Sequence, residues 1–347
     1  MKHHRKNASR VQRRRFSRAL ASLRGILLAA LLAAGDLSAT AQDTVYVFAY
    51  FQGGWPTGGS SGVFLDYSQD GLRFSPLNDG NAVMTPPQPP DFPDGENQTR
   101  DPSLTYGPDG LFHMVWTSGI DTRTIGHATS PDLVTWSAPQ RIQVWDDALQ
   151  VGHTWAPEIY YDDGAKTYHV FWASNVSSRT HRQFSFTTAD FATFSPVLPS
   201  QRRAPFFDPE YDVIDAMIAY DEVGREYVMA FKDERRSGKN IKLTRRASLE
   251  SGAWGPPSEP IVGPGSGVRP HEQAEGPSLL KIGDTWHLYY DSYGARHMSL
   301  ATSPDLVKWA DRTGDAKLPS GHHGTVIAAP REKVGWLGAP QAAEASR

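Results

Sequence analysis

Ser130-Pro131-Asp132-Leu133-Val134-Thr135-Trp136 and Ser303-Pro304-Asp305-Leu306-Val307-Lys308-Trp309 share one pattern: a hydroxyl residue, an acid two positions on, and an aromatic six positions on. Three other segments fit it: Ser68-Gln69-Asp70 with Phe74, Thr188-Ala189-Asp190 with Phe194, and Ser248-Leu249-Glu250 with Trp254. Successive copies lie 62, 58, 60 and 55 residues apart, so the chain is a repeat. Each copy follows a short aromatic and β-branched run, at residues 45–50, 111–116, 168–172, 227–231 and 286–290. In four of the five a turn glycine (Gly110, Gly164, Gly224, Gly283) stands just before that run. Each unit therefore reads as several short strands joined by polar turns, with no helix-period stretch. Radially repeated small sheets protect their own strand edges, and five units imply an all-β, five-bladed β-propeller. The repeated Ser and Asp side chains are expected to bond the backbone of their own turns, with the aromatics tucked between blades.

The first unit lacks a leading strand, while residues 322–329 form a strand left over at the far end. Pairing it with the N-terminal strands completes one blade from both termini. The chain has no cysteine, which makes that pairing the expected lock and excludes a disulfide scaffold, a thiolate metal site and a cysteine nucleophile. The 31 glycines and 26 prolines weigh against a helical bundle. Residues 42–330 are thus one propeller domain, and the Ala-rich tail at 331–347 is expected to be loose.

Residues 1–24 carry nine basic side chains and no acid, followed by an apolar run at 25–34 and then Ala39-Thr40-Ala41. This is the three-part pattern of a cleaved export signal at 1–41, and its apolar run is too short to span a bilayer core. Arg13-Arg14-Arg15-Phe16 also loosely fits a twin-arginine signal. The expected location is periplasmic or secreted. The net charge of −3 then hides a body with 26 basic and 37 acidic residues, a net of −11. That sign argues against nucleic acid as a partner. No other apolar stretch approaches membrane length, and a soluble monomer is expected.

Counting back nine residues from Gly110, Gly164 and Gly224 gives Asp101, Trp155 and Asp215; counting eight from Gly283 gives Glu275. Equivalent positions on innermost strands ring a propeller axis, so the three carboxylates should converge, with His323 at a similar place on the fifth strand. Gathered like charges repel and raise at least one pKa, which marks a functional-site candidate. Two separated carboxylates beside aromatic platforms suit glycosidic bond hydrolysis. One protonates the leaving oxygen while the other works from the opposite face of the sugar, and a third holds the acid's proton on.

Arg100-Asp101-Pro102, Thr154-Trp155-Ala156-Pro157-Glu158-Ile159, Val213-Ile214-Asp215-Ala216 and Ala274-Glu275-Gly276-Pro277, in that order, resemble glycoside hydrolase family 43 over residues 44–329. The resemblance implies a propeller acting on arabinose-, xylose- or galactose-containing plant polysaccharide, usually with inversion and with no required cofactor. It implies Asp101 as general base, Glu275 as general acid and Asp215 as the group that orients Glu275 and raises its pKa. It puts α-L-arabinofuranosidase first, with β-xylosidase and exo-β-galactanase beside it. The chain departs from the pattern at Glu158, where many members have Asp, and at Ala216, where many have Pro. Glu158 is three residues past Trp155 and should point to the other face, as a substrate contact or a structural group. Trp155 either stacks on sugar or fills space between blades. Arg296, His153 and Trp116 are further candidates to line the pocket, and Glu272 is a rival acid. His323 resembles the axial histidine that some relatives place near a calcium ion or a water. One imidazole suits a hard cation poorly, so Ca2+ there would be held mainly through water; the other reading has His323 bonding the acids or substrate hydroxyls.

Two other classes stay open on the residues alone. One is a carbohydrate-binding propeller without catalysis. The other is a sialidase-like propeller, which needs several arginines around a carboxylate and a tyrosine nucleophile; Arg100 is the one arginine at the start of an innermost strand. Exo or endo action rests on the Gly- and Pro-rich loops at 53–62, 84–98 and 263–273.

Overall fold

The computed structural model describes residues 44–53, 60–200 and 204–338; the expected export signal lies outside these residues. From Val45 onward the chain forms one compact unit. Five sheets account for its strands. The second blade runs Arg100–Tyr106, Phe112–Thr117, Thr124–Ser130 and Gln140–Gln143. The third runs Val151–Asp162, Thr167–Val176 and Arg182–Thr188, and the fourth Val213–Asp221, Glu226–Asp233 and Asn240–Arg246. The fifth runs Glu275–Ile282, Thr285–Ser292, His297–Ser303 and Ala310–Asp311. The first blade draws on both ends of the domain: His322–Pro330 is its innermost strand, beside Thr44–Gly53, Ser60–Ser68 and Ser75–Pro76. The innermost strands contact one another in a closed ring of five.

Strand alternation explains why the blades stack. Successive side chains point to opposite faces, so each strand feeds two different apolar layers. Val47 and Ala49 pack toward the second blade, while Phe48 and Tyr50 pack toward the fifth. Met114 and Trp116 face the first blade, and Val115 faces the third. The five buried clusters are the five interfaces between neighbouring blades. The repeat aromatics sit at those interfaces: Phe74 is buried, and Trp136, Phe194, Trp254 and Trp309 pack against one cluster each.

The repeated polar residues hold their own turns. Ser130 Oγ accepts from the backbone N–H groups of Asp132 and Leu133, and Asp132 Oδ1 accepts from those of Val134 and Thr135. Ser68 with Asp70 and Thr188 with Asp190 repeat both halves of this network. For Ser303 with Asp305 the bonds run to Asp305, Val307 and Lys308. The longer Glu250 leaves the fourth turn with only the Ser248 half among these bonds.

The tail departs from expectation. Residues 331–338 are docked, not loose: Val334 is buried, Gly335 N–H donates to the Asp132 carbonyl, and Trp336 Nε1 donates to the Leu133 carbonyl. An apolar Val-Gly-Trp-Leu segment within an Ala-rich tail has surface to bury, and the turn of the second blade accepts it. Residues 339–347 lie outside the described residues.

Candidate active site

Four innermost strands carry the same irregularity. Two residues on each, 101–102, 156–157, 215–216 and 276–277, face a single residue on the neighbouring strand. The first residue of each pair is left-handed: Asp101 (φ 49°), Ala156 (φ 46°), Asp215 (φ 49°) and Gly276 (φ 57°). Such bulges kink a strand and re-aim its side chains. The second residue is proline in three of the four, where no ladder N–H is needed. The single residue across the bulge is Trp116, Trp172, Phe231 or Tyr290, each wholly buried. This corrects the register. Asp101 and Asp215 are equivalent, while Trp155 and Glu275 stand one place earlier, level with Arg100 and Ile214. The marker glycine stands at different places in the hairpin loops, second in the loop 163–166 and third in the equally long loop 222–225, which displaced the count by one. Trp116 is also corrected: it fills the core opposite the bulge, stacked near Phe92, and does not line the site.

The bulges aim the acids at the axis. His323 Nδ1 is 3.6 Å from Asp101 Oδ1 and 3.9 Å from Asp215 Oδ2, and its Nε2 is 4.0 Å from Glu158 Oε1. Thr117 donates to Asp101 Oδ2 at 2.7 Å, and the Gly276 N–H donates to Asp215 Oδ2 at 3.2 Å. Glu275 accepts from Lys232 Nζ at 2.7 Å, and that ammonium also contacts Glu234 at 2.9 Å. His322, next to the axial histidine, bonds the buried Asp291 at 3.0 Å.

The electrostatics follow from packing acids into a dry ring. Burial pushes the Asp215 carboxyl up to about 6; His323 and Lys232 pull it down, while Glu275 and Asp101 push with the burial. Burial pushes Glu158 up to about 8, against the bond from Ser103 and the His323 charge. Burial disfavours protonated His323, but Asp215, Asp101, Glu158 and Glu275 outweigh it and raise its pKa. Lys232 is likewise held as ammonium despite burial, by Glu275, Asp215 and Glu234. The arrangement is a cluster of carboxylates with different proton affinities around one imidazole whose own proton affinity they raise. Such divergence within one site suits acid–base chemistry.

The sequence decides the class. Residues 42–334 match a glycosyl hydrolase 43-related family described as "Probable glycosyl hydrolase domain". The chain belongs to this glycosyl hydrolase 43-related family. It is therefore a glycoside hydrolase. No curated protein sequence matches the chain. Among solved structures, a thermostable family-43 glycoside hydrolase is 17% identical with a TM-score of 0.49, covering 62% of this chain and 72% of its own. An α-L-arabinofuranosidase from Lactobacillus brevis is 18% identical with a TM-score of 0.46, covering 62% and 72%. An endo-arabinase from Bacteroides thetaiotaomicron is 13% identical with a TM-score of 0.49, covering 69% and 96%.

The remaining candidates of this glycoside hydrolase fall in three places. Glu158 is closed off from solvent, bonded by Ser103 Oγ at 2.6 Å, on the far side of the His323 ring from Asp101. It belongs to the support of the axis and not to a substrate surface. Trp155 is half-buried, lies outside the interblade clusters, and stacks on His153 at 3.7 Å between ring centroids. His153 in turn bonds His181 at 2.8 Å, and His181 bonds Asp212 at 2.8 Å, so this aromatic platform is braced from below. Glu272 is tied to Arg269 and stands 3.4 Å from His297, apart from the axial group. Among the described residues no three His, Asp or Glu side chains are grouped to hold a metal ion, and both His323 nitrogens face carboxylates. His323 itself does not fit as a calcium ligand, since it offers no oxygen and carboxylates face both of its ring nitrogens.

An open chamber of about 1400 Å3 adjoins the acids. Glu275, Arg100, His322, Phe51, Tyr293 and Arg296 are among the residues that line it. Arg269 also lines it, so arginines from three separate segments meet here, which the sequence did not disclose. A sialidase-like tyrosine nucleophile is not supported. Burial pushes the Tyr293 hydroxyl up to about 12, where Lys232 pulls down and Glu275 pushes up. Lys232 and Thr117 are the working residues that sequence reading missed. A signal existed: Thr117, Ala173, Lys232 and Asp291 each follow the buried aromatic across the bulge, and pair with the residue preceding it.

Proposed function

We propose that this glycoside hydrolase removes terminal sugars from plant-type polysaccharide by an inverting acid–base mechanism. Asp101 is the general base, Glu275 the general acid and Asp215 the group that sets the electrostatics of Glu275. The observation that carries this reading is the axial convergence: Asp101 and Asp215 share the His323 imidazole, and Asp215 bonds the backbone N–H of the residue after Glu275. Thr117 fixes the Asp101 carboxylate by donating to Oδ2, leaving Oδ1 toward His323. A water held by Asp101 would attack the anomeric carbon while Glu275 passes a proton to the leaving oxygen from the opposite face. Trp155, braced by His153, offers an aromatic face to the sugar. α-L-Arabinofuranoside is the first substrate, ahead of β-xyloside and β-galactoside, on the family resemblance of the four motifs. The basic leader supports export to the periplasm or beyond, and the chain acts as a monomer with no cofactor.

The test is hydrolysis of aryl α-L-arabinofuranoside, β-D-xylopyranoside and β-D-galactopyranoside, with NMR of the first anomer released. Inverted product from one of the three is expected. Glu275→Ala and Asp101→Ala should each lower turnover at least about a hundredfold while the protein stays folded. Normal turnover by both variants would sink the assignment.

A further inference from the structure

The chamber beside Glu275 differs in charge from the rest of the molecule. The body of the chain is strongly acidic, yet the chamber is lined by Arg100, Arg269 and Arg296, with Glu275 the one carboxylate in the lining among the described residues. Arg269 is neutralised by Glu272 and Asp311. Among the described residues, Arg100 and Arg296 have no ion-pair partner. Arg100 lies over the Phe51 ring at 4.7 Å, and His322 packs against the same ring at 5.3 Å. His322 has a raised pKa through its bond to the buried Asp291. Two unpaired guanidinium groups facing open space are a site for an oxyanion, which the planar fork binds through paired hydrogen bonds.

The position of the chamber relative to the acids says which part of a substrate it receives. Glu275 is in its wall, whereas Asp101 is not. A general acid touches the glycosidic oxygen, and the base works from the other face of the sugar that is released. A leaving group must touch the general acid, and the chamber beside Glu275 is the open space that can hold it. At about 1400 Å3 it exceeds what a single small ligand fills, so it accommodates more than one sugar unit.

We infer that the enzyme cleaves a neutral terminal sugar from an anionic glycan, the acidic unit lying on the leaving-group side against Arg100 and Arg296. The anion is a uronate carboxylate or a sulfate ester. This inference rests on the hydrolase roles proposed above for Glu275 and Asp101.

The experiment compares three oligosaccharides with the same terminal sugar: one on a uronate-bearing chain, the same chain after carboxyl reduction, and a sulfated chain. The expected result is kcat/KM at least about tenfold higher for an anionic chain than for the reduced one, since charge-assisted bonds contribute this much or more. The ratio should fall toward one in Arg100→Gln/Arg296→Gln and in 0.5 M salt. Preference for the uronate or for the sulfate chain identifies the anion. Equal kcat/KM on charged and reduced chains overturns the inference and leaves the hydrolase reading standing. Release of a terminal uronate instead of a neutral sugar also overturns it, because the anion then sits on the wrong side of Glu275. Calorimetry on Glu275→Gln separates the two readings. Salt-sensitive binding of the uronate oligosaccharide, lost in the added arginine variants, supports the anion site even where wild type releases no sugar.

Discussion

Lys232 shows how much of the site rests on one side chain that the sequence does not advertise. It is 3% exposed, reaches from the fourth blade to Glu275 of the fifth, and pulls against the burial that raises Asp215. The ionised Asp215 is the form that orients the acid. Activity should therefore fall as pH drops through its pKa of about 6. Lys232→Met removes a charge that favours ionised Asp215, so the acidic limb of kcat/KM should move to higher pH. It also takes a cation from the partly buried Glu275 and Glu234, at a cost of about 3 kcal/mol in stability at most. The pair of measurements is a pH–rate profile and a denaturant titration. A limb that stays in place while stability drops would make Lys232 a structural residue only. Thr117 is the counterpart on the base, and both escape sequence reading for one reason. A polar residue ending an apolar strand is common, and only the partner across the bulge reveals its use.

At the scale of the strand, the bulge is the device that turns a repeat into a site. The five-fold pattern of turns and aromatics made the blades legible, since each copy repeats its own local bonds. Asp101 and Asp215 were found by counting because both sit at the left-handed position of the bulge. Trp155 and Glu275 were found one place out of register because the marker glycine stands at different places in the hairpin loops. Gly276 shows how tightly the element is built. A Cβ there would lie 2.5 Å from the His323 ring, at a φ of 57° that L residues rarely adopt. Gly276→Ala should push the imidazole off the axis, lowering kcat at least about tenfold and stability by about 1–3 kcal/mol. Ala156→Gly, at the same position of the third blade, should instead raise stability by about 1 kcal/mol through relief of its φ of 46°. Arg269 and Arg296 belong to loops and had no periodic signal to follow, so their meeting with Arg100, at the start of an innermost strand, could not be read from spacing.

Across the whole molecule, closure and chemistry use the same strand. His322–Pro330 completes the first blade and carries His323 to the axis, where Asp101, Glu158 and Asp215 converge from three other blades. The ring is thus held partly by proton-dependent contacts, and the sign of that dependence follows from the shifts. Glu158 rises from 4.5 to about 8, Asp215 from 3.8 to about 6, and His323 also rises. A group whose pKa is raised by folding contributes stability that is full below its unfolded pKa and lost as pH rises through its folded one. The axial groups therefore favour the fold on the acid side of neutrality. The turn carboxylates Asp70, Asp132, Asp190 and Asp305 are shifted down, so their contribution is lost only as pH falls below the ordinary carboxylate range. The melting temperature should peak near pH 5 and decline between pH 5 and 8. Glu158→Gln keeps the shape and a hydrogen-bonding amide but has no proton to lose, so it should flatten the decline between pH 6 and 8. Calorimetric scans of both proteins across that range decide it. An unchanged slope in Glu158→Gln would mean that the axis is charged throughout, and that the ring is held by blade packing alone.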